Sequence, residues 1–405
     1  MKWAHIFTSI LFICAGLAHA YAATPKKPIS SAELGDGSPF TPITFGNGIE
    51  FYEPDSEFRM NLRFRVQNRA DFIHLENSSE DLNYNWAVRR ARLRMNGTVF
   101  SPKLRYLLQL SFSKGDQDWS NSKFSNVVRD AIFTYEITQR WQVAFGQGKL
   151  PGNRQRVVSS SDQQFGDRSI VNGAFNLDRD FGFQTQYEIP ISTALIRLKG
   201  AISSGEGRNQ SVPSDDKLFY TTRVEFLPFG RFKHNGDYFE SDLAYEDSLK
   251  ASFGYTFAYL DGAARANGGV GEIFTTTGDA GDPVERRTHT VHYADALFKY
   301  LGHSLYLEFV NKTAKDPIIN PTQAVLVGHA FNVQVGKMLH PKLEVAARYS
   351  AIFPESGVLA YHDEIKEWTL GVNYFLSGHK VKLQANAGYT EDVGALGRLQ
   401  MELGI

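Results

Sequence analysis

Cysteine is almost absent from this chain of 405 residues, and the single one, Cys14, lies in the apolar N-terminal segment. We expect that segment to be removed, which leaves a mature chain with neither a disulfide framework nor a thiolate metal site. Lipid-modified cysteines follow a small residue, whereas Ile13 precedes Cys14, so lipidation is not expected. A glycine-rich phosphate cradle between a strand and a helix is also missing, and we expect no cofactor.

Long hydrophobic runs are missing as well. Beyond the N-terminus no uninterrupted apolar run reaches the roughly 18 residues that a membrane-spanning helix needs. That excludes a helical membrane protein but leaves a β-barrel open, because barrel strands hide their hydrophobicity in alternation. With 43 Lys+Arg against 44 Asp+Glu, the net charge of -1 does not indicate a nucleic-acid partner, and we expect none.

The chain divides into three predicted regions. Residues 1–22 are predicted to be a secretory signal peptide, because Lys2 precedes an apolar stretch that ends in the small-residue motif Ala20-Tyr21-Ala22. Residues 23–57 are rich in Pro, Ser and Gly and are predicted to be a periplasmic lead-in. Residues 58–405 carry the strand pattern, and they lack a helical period of useful length.

Strict alternation of polar and apolar residues defines the strands. Arg90, Arg92 and Arg94 alternate with apolar residues, so a strand here has one arginine face and one apolar face. The pattern recurs along the chain and gives about 16 strands, joined alternately by short turns and long loops. This predicts an all-β fold, a transmembrane antiparallel up-and-down β-barrel of about 16 strands. The connector 228–247 is long where a short turn is due, and its role stays open.

The arginines must face the lumen of such a barrel. One Arg on the lipid face near the midplane costs about 2–4 kcal/mol, so three in a row would cost about 6–12 kcal/mol. Arg89 has the lipid-side parity, which this argument leaves unexplained unless Arg89 lies at the lipid headgroups or at a subunit interface. Neighbouring strands extend the predicted anion ladder, whose members on the first three strands are Arg59, Arg63, Arg65, Arg90, Arg92, Arg94 and Arg105. One interpretation of the ladder is that its arginines guide anions through the pore. The other is that they pair with wall carboxylates such as Glu136, Glu188 and Glu225.

The third long loop, 148–180, is expected to fold inward and to line a constriction. A loop of about thirty residues in a compact fold usually has a function. Its basic residues are candidate anion contacts: Lys149, Arg154, Arg156 and Arg168. An external cap or a subunit contact is the alternative role for this loop.

These motifs resemble those of the phosphate-selective porin O and P family. The resemblance rests on Arg89-Arg90-Ala91-Arg92-Leu93, on Gly146-Gln147-Gly148-Lys149-Leu150-Pro151 and on Phe165-Gly166-Asp167-Arg168-Ser169. It implies a sixteen-stranded, trimeric porin of the Gram-negative outer membrane with an arginine-lined lumen and an inward third loop.

The function expected from the sequence is passive diffusion of anions such as phosphate or polyphosphate. A general porin of weak selectivity, or a mainly structural or adhesive barrel, is the alternative. The expected surroundings are outer-membrane lipid and lipopolysaccharide, with a homotrimer as the assembly. We expect no enzymatic activity, because His289 and His292 would face opposite sides of a strand and no Ser–His pair is supported.

Overall fold

The computed structural model describes residues 48–52, 57–76, 82–114, 127–209, 217–267, 269–278 and 282–405. The predicted signal peptide and most of the predicted lead-in lie outside the described residues. Among the residues described, no helix is both long and apolar enough to cross a membrane.

The described residues form seventeen strands, which follow one another along the chain. The first nine are β1 (Ile49–Tyr52), β2 (Arg59–Leu75), β3 (Asn83–Val99), β4 (Ser101–Ser111), β5 (Val128–Thr138), β6 (Trp141–Lys149), β7 (Arg179–Ile191), β8 (Ala194–Ser203) and β9 (Phe219–Leu227). The others are β10 (Lys250–Ala263), β11 (Arg287–Tyr300), β12 (His303–Ala314), β13 (Gly328–His340), β14 (Leu343–Pro354), β15 (Ile365–Ser377), β16 (Val381–Thr390) and β17 (Gly394–Gly404).

Strands β2 to β17 form a closed antiparallel barrel. Each pairs with the next in sequence, and β17 pairs with β2 from Gly394 opposite Leu75 to Gly404 opposite Arg65. The predicted fold class, an antiparallel barrel of sixteen strands, is confirmed. Strand β1 pairs with β2 beyond the point where β17 ends, at Arg59 to Leu62. The segment predicted as the lead-in therefore contains a short strand, β1, which pairs with the beginning of β2 where β17 does not reach.

The two faces of the strands differ in the way a membrane barrel requires. Large apolar side chains stand exposed on the outside, among them Trp86 (73%), Phe183 (66%) and Leu370 (59%). Polar side chains such as Gln67, Asn332 and Lys382 point inward and are fully buried at 0% exposure. Alternation along each strand produces both faces at once, because successive side chains point to opposite sides of the wall.

Short turns and long loops gather at opposite ends of the barrel. Phe100 alone separates β3 from β4, and it takes a left-handed φ of 60°. Leu301-Gly302 separates β11 from β12 with φ values of 45° and 78°. In barrels of this type the short turns lie on the periplasmic side. The segment 228–249 is the long exception at this end, and we call it the lower connector.

The segment 150–178, which we call the inner loop, runs through the interior of the barrel. Its residues contact opposite walls: Ser160 is hydrogen-bonded to Arg65 of β2, and Gln164 to Glu344 of β14. Two short helices, Arg154–Val157 and Ile170–Ala174, lie within it.

Apolar contacts hold the inner loop against one side of the wall. Val171, Phe175 and Leu177 are buried at 0%, 1% and 3% exposure in one cluster with lumen-side residues of β9 to β14. The wall residues of that cluster are Phe219, Ala258, Leu260, Ala263, Val291, Tyr293, Val310, Ala330 and Ile352. Burial of one such large side chain is worth about 1.5–3 kcal/mol, so the barrel has an apolar core inside its lumen.

The lower connector also enters the lumen. Lys299 of β11 donates from Nζ to the carbonyl oxygens of Gly236 (2.8 Å) and Ser241 (2.7 Å). The Ser241 hydroxyl donates to Glu344 of β14 at 2.8 Å. Phe232 joins a second apolar cluster with residues of β8, β9, β11 and β12. The lower connector and the inner loop together fill the part of the lumen bounded by these strands.

Candidate functional site

A buried network of ion pairs occupies the filled side of the lumen. Asp295 of β11 accepts from Arg154 of the inner loop at 2.5 Å and from Arg223 of β9 at 2.7 Å. Arg223 also pairs with Glu225 at 2.8 Å, and Lys199 of β8 reaches the same carboxylate at 2.9 Å. Buried charges are tolerated only when they are paired in this way.

Arg154 was predicted at the constriction, but the structure buries it at 2% exposure. Its guanidinium also donates to the backbone oxygen of Asp237 at 2.9 Å and to the Ser252 hydroxyl at 2.8 Å. These contacts leave it inside the protein rather than against the open lumen. The prediction failed because the sequence does not show that Asp295 lies opposite.

The open side of the lumen carries the arginine ladder of β2 and β3. Arg63 lies directly opposite Arg94, and Arg65 lies directly opposite Arg92, which makes two arginine rungs. A cavity between these rungs and the inner loop is lined by both pairs together with Lys380 and Glu402.

Arg59 and Arg105 stand exposed nearer the short-turn end, where Arg105 donates to Gln142 at 2.6 Å. They therefore lie at the entrance to the ladder rather than at its narrowest part. Their position follows from their place at the beginning of β2 and β4.

The inner loop approaches the ladder most closely at Ser160. The Ser160 hydroxyl oxygen accepts from Arg65 Nη2 at 2.7 Å and from Arg92 Nη1 at 3.0 Å. Arg65 also forms a 3.5 Å ion pair with Glu402 of β17. One hydroxyl of the inner loop thus bridges both arginines of a rung.

Above this contact, towards the long loops, a cavity of about 780 Å³ opens between the inner loop and the wall. We call it the vestibule. Among the described residues, nine arginines and four carboxylates line it, and they are Arg89, Arg90, Arg92, Arg129, Arg156, Arg168, Arg208, Arg348, Arg398, Asp167, Asp178, Glu272 and Glu367. Positive potential in such a low-dielectric cleft concentrates anions.

Arg89 enters the vestibule because of a β-bulge. The register between β2 and β3 shifts at this point: Gln67 lies opposite Arg90, but the next residue, Asn68, lies opposite Val88, so Arg89 is skipped. A bulge adds one residue to a strand and re-aims its side chain. Arg89 forms an ion pair with Asp167 of the inner loop at 3.5 Å, so the lipid-side parity assigned from the sequence was wrong.

Two of the predicted basic residues, Lys149 and Arg168, donate hydrogen bonds to backbone oxygens of the inner loop. Lys149 donates from Nζ to the carbonyl oxygen of Val157 at 2.7 Å. Arg168 donates to the carbonyl oxygens of Gln155 (2.8 Å) and Val158 (2.9 Å). Lys149 lines a separate small cavity, whereas Arg168 borders the vestibule.

Two other predicted residues lie at the vestibule. Arg156 forms an ion pair with Asp178 at 2.6 Å, and it lines the vestibule. Arg90 donates to Gln67 at 2.7 Å and lies 3.6 Å from Asp167.

Wall carboxylates are more numerous than the sequence analysis expected. Glu188 and Glu225, named as alternative partners of the ladder, instead pair with Arg197 at 3.1 and 3.5 Å. The vestibule carboxylates Asp167, Asp178, Glu272 and Glu367 were not among the predicted partners. Neither were Asp71, which pairs with Arg398, and Glu402, which lies beside the rungs. A usable signal existed for Glu402, because Arg398, Gln400 and Glu402 alternate with apolar residues in the last strand.

A metal centre has no support in the described ranges, where no group of three or more His, Cys, Asp or Glu side chains could hold a metal ion. The groups that line the described part of the lumen are mainly guanidinium groups, carboxylates, hydroxyls and amides.

A closed sixteen-stranded barrel with a polar interior and an apolar outer wall defines the class of outer-membrane porins. Within that class, residues 60–231 match the model of the family described as phosphate-selective porin O and P. The family resemblance noted from the sequence motifs is confirmed by this match. The barrel fold and the family match indicate a channel of the outer membrane rather than an enzyme.

Other known proteins resemble a larger part of the chain more distantly. A protein of Aquifex aeolicus (strain VF5), described as uncharacterized, is 24% identical over 82% of this chain and 83% of its own. The high-pH structure of Pseudomonas putida OprB covers 85% of this chain and 94% of its own, at 10% identity and a TM-score of 0.55. A loop-deletion mutant of OmpT, an outer membrane protein of Vibrio cholerae, covers 85% and 99%, at 15% identity and a TM-score of 0.52. These structural likenesses support the fold alone.

Proposed function

We propose that this porin is a passive diffusion channel for small anions, with phosphate and related oxyanions as its solutes. The observation that carries the proposal is the pair of arginine rungs, Arg63 opposite Arg94 and Arg65 opposite Arg92. Like charges placed directly opposite on neighbouring strands destabilise a sheet. Because the opposed arginines reduce the stability of the sheet, their presence at the open side of the lumen supports a role in solute passage rather than in folding.

The chemistry of the rungs suits oxyanions. A guanidinium group stays charged, is weakly hydrated, and presents paired N–H donors that match the oxygens of phosphate or carboxylate. The described lining of the vestibule holds more arginines than carboxylates, on the external side of the rungs. A ring of arginines in a pore favours anions, and the family described as phosphate-selective makes phosphate the first solute to test.

The proposed route runs from the vestibule past Ser160 to the rungs and then to Arg59 and Arg105 at the periplasmic end. The inner loop narrows this route, because its residue Ser160 touches Arg65 and Arg92. We further propose export by the signal peptide 1–22, assembly as a homotrimer, and contact with lipopolysaccharide around the external loops.

Single-channel recording in planar bilayers tests the solute. We expect chloride current to be reduced by inorganic phosphate or pyrophosphate at concentrations well below that of chloride. A channel that passes chloride but ignores phosphate, pyrophosphate and an organic acid alike would be a general porin. A barrel without measurable open-pore conductance would be structural or adhesive instead.

A further inference from the structure

The small cavity beside Lys149 has a volume of about 220 Å³ and lies between the inner loop and the lumen face of β5 to β7. We call it the side pocket. Its wall contributes one hydroxyl and three amides, which belong to Thr134 of β5, Gln142 of β6, and Gln184 and Gln186 of β7. The inner loop contributes three aliphatic side chains, Leu150, Pro151 and Val157.

A small residue in the middle of the wall leaves the space for this pocket. Ala144 of β6 lies directly opposite Thr134 on one side and Gln184 on the other. Nearer the short turns, Gln142 lies directly opposite Gln186. Residues two apart in a strand share a face, so the hydroxyl and the three amides stand together on the lumen side. A side chain larger than alanine would occupy the centre of this group.

The side pocket differs from the arginine rungs in its charge. Its described lining includes no arginine and no carboxylate, and both of its lysines have partners. Lys149 donates to the carbonyl oxygen of Val157 at 2.7 Å, and Lys199 forms an ion pair with Glu225 at 2.9 Å. The surface that a solute meets here is therefore mainly amide, hydroxyl and aliphatic.

Two of the amides are prepared for hydrogen bonding to a solute. The Gln142 side-chain oxygen accepts from Arg105 at 2.6 Å, which fixes the orientation of this amide. The Gln184 side-chain nitrogen is buried and has no hydrogen-bond partner among the described residues. A buried donor without an acceptor is costly, so a solute oxygen that reaches Gln184 is favoured.

We propose that the side pocket binds a small uncharged solute with several hydroxyl groups, such as a polyol or a monosaccharide. An amide offers a donor and an acceptor side by side, and the Thr134 hydroxyl can act as either, so the wall matches neighbouring hydroxyl groups. The aliphatic side chains of the inner loop suit the C–H groups of such a molecule. A cavity of about 150 Å³ holds a benzene ring, so the side pocket has room for a six-membered sugar ring with its substituents.

This inference goes beyond the proposed passage of anions and does not depend on it. The arginine rungs attract solutes by charge, whereas the side pocket would select them by their hydroxyl groups. The same barrel would then bind two classes of solute at separate places.

Saturation-transfer NMR with glucose tests the proposal on the protein purified in a detergent without a sugar headgroup. The wild type should give a saturable glucose signal. Gln184→Leu nearly keeps the side-chain volume but removes the buried donor, so glucose affinity should fall about five-fold, the effect of losing one neutral hydrogen bond. Thr134→Val, which removes only the hydroxyl, should act in the same direction and is the variant to use if Gln184→Leu does not fold.

The matched control is Gln109→Leu. The Gln109 side-chain nitrogen is also buried without a partner among the described residues, but Gln109 lines the cavity at the arginine rungs. Glucose affinity should be unchanged in this variant, and inorganic phosphate should not displace glucose from the wild type.

Three results would overturn the proposal. The first is a wild type without a saturable glucose signal. The second is an affinity that neither Gln184→Leu nor Thr134→Val lowers, or that Gln109→Leu lowers equally. The third is displacement of glucose by phosphate, which would place the sugar at the rungs. Because binding is measured without current, the side pocket can fail while the channel remains anion-selective, and the reverse can also occur.

Discussion

Arg154 and Asp295 join the inner loop to the far wall of the barrel through a buried ion pair, with 2.5 Å between Nε and Oδ1. The exposed fractions of the two side chains are 2% and 0%. The pair joins the inner loop to β11 on one side of the lumen.

Neutralising Asp295 should destabilise the barrel more than truncating Arg154. Asp295→Asn leaves Arg154 and Arg223 buried with one counter-charge fewer, whereas Arg154→Met leaves Asp295 paired with Arg223. Removing one partner of a buried ion pair costs about 3–5 kcal/mol. The midpoint of heat-modifiable gel mobility measures the difference.

The control for this comparison is Glu364→Gln. Its ion pair with Lys366 is largely exposed, and such surface pairs contribute about 0–1 kcal/mol. Equal midpoints for Asp295→Asn and Glu364→Gln would show that the buried network does not hold the inner loop.

Ser160→Ala should change anion block without changing the fold. The substitution removes a hydroxyl acceptor that Arg65 and Arg92 share, so their guanidinium groups would turn to the solute for hydrogen bonds. Phosphate should then block chloride current at a several-fold lower concentration. Ser356→Ala is the matched control, because Ser356 is exposed in the loop that follows β14, away from the ladder. If phosphate blocks the chloride current of both variants at the same concentration, Ser160 does not take part in anion passage.

Shortening the lower connector should open a second passage. Residues 233–246 fill the lumen beside β8 to β14, where Lys299 and Glu344 hold them. Replacing them with a short Gly-Ser turn should raise single-channel conductance and weaken anion preference, because the widened part lacks the arginine rungs. Shortening 355–364 at the other end is the control. Unchanged conductance would mean that the inner loop alone closes that side.

The stabilising effect of Asp167 should disappear in acid. Its pKa is lowered in the folded protein, so its contribution is complete above the unfolded value of about 3.9 and is lost as the pH falls through the folded value. Thermal midpoints of the wild type and of Asp167→Asn should therefore differ at neutral pH and converge only in strong acid. A difference that stays constant down to that range would contradict the ion pairs of Asp167 with Arg69, Arg89 and Arg90.

Alternation in the sequence was sufficient to predict the barrel, because strand direction and lumen face both follow from a period of two. It placed Arg63, Arg65, Arg92 and Arg94 on the same face of the sheet, where all four line one cavity. It failed at Arg89, where a bulge adds a residue and breaks the parity that the argument assumed.

The inner loop and the lower connector could not be derived in this way. Their contacts, such as Gln164 with Glu344 and Arg154 with Asp295, join residues 180 and 141 positions apart. No local pattern encodes such pairings, since neither segment has a regular period. The sequence could indicate that 150–178 was basic and long, but not which of its arginines would be buried.

The most direct test of the account is the reversal potential of single channels in a potassium chloride gradient. The wild type should show a clear preference for chloride, and Arg63→Gln with Arg94→Gln should reduce that preference several-fold while the folded band persists, since the pair opposes like charges. Arg140→Gln, in an exposed turn between β5 and β6, should leave it unchanged. A wild-type channel that prefers potassium, or a double variant with unaltered selectivity, would contradict the proposed passage of anions along the arginine rungs.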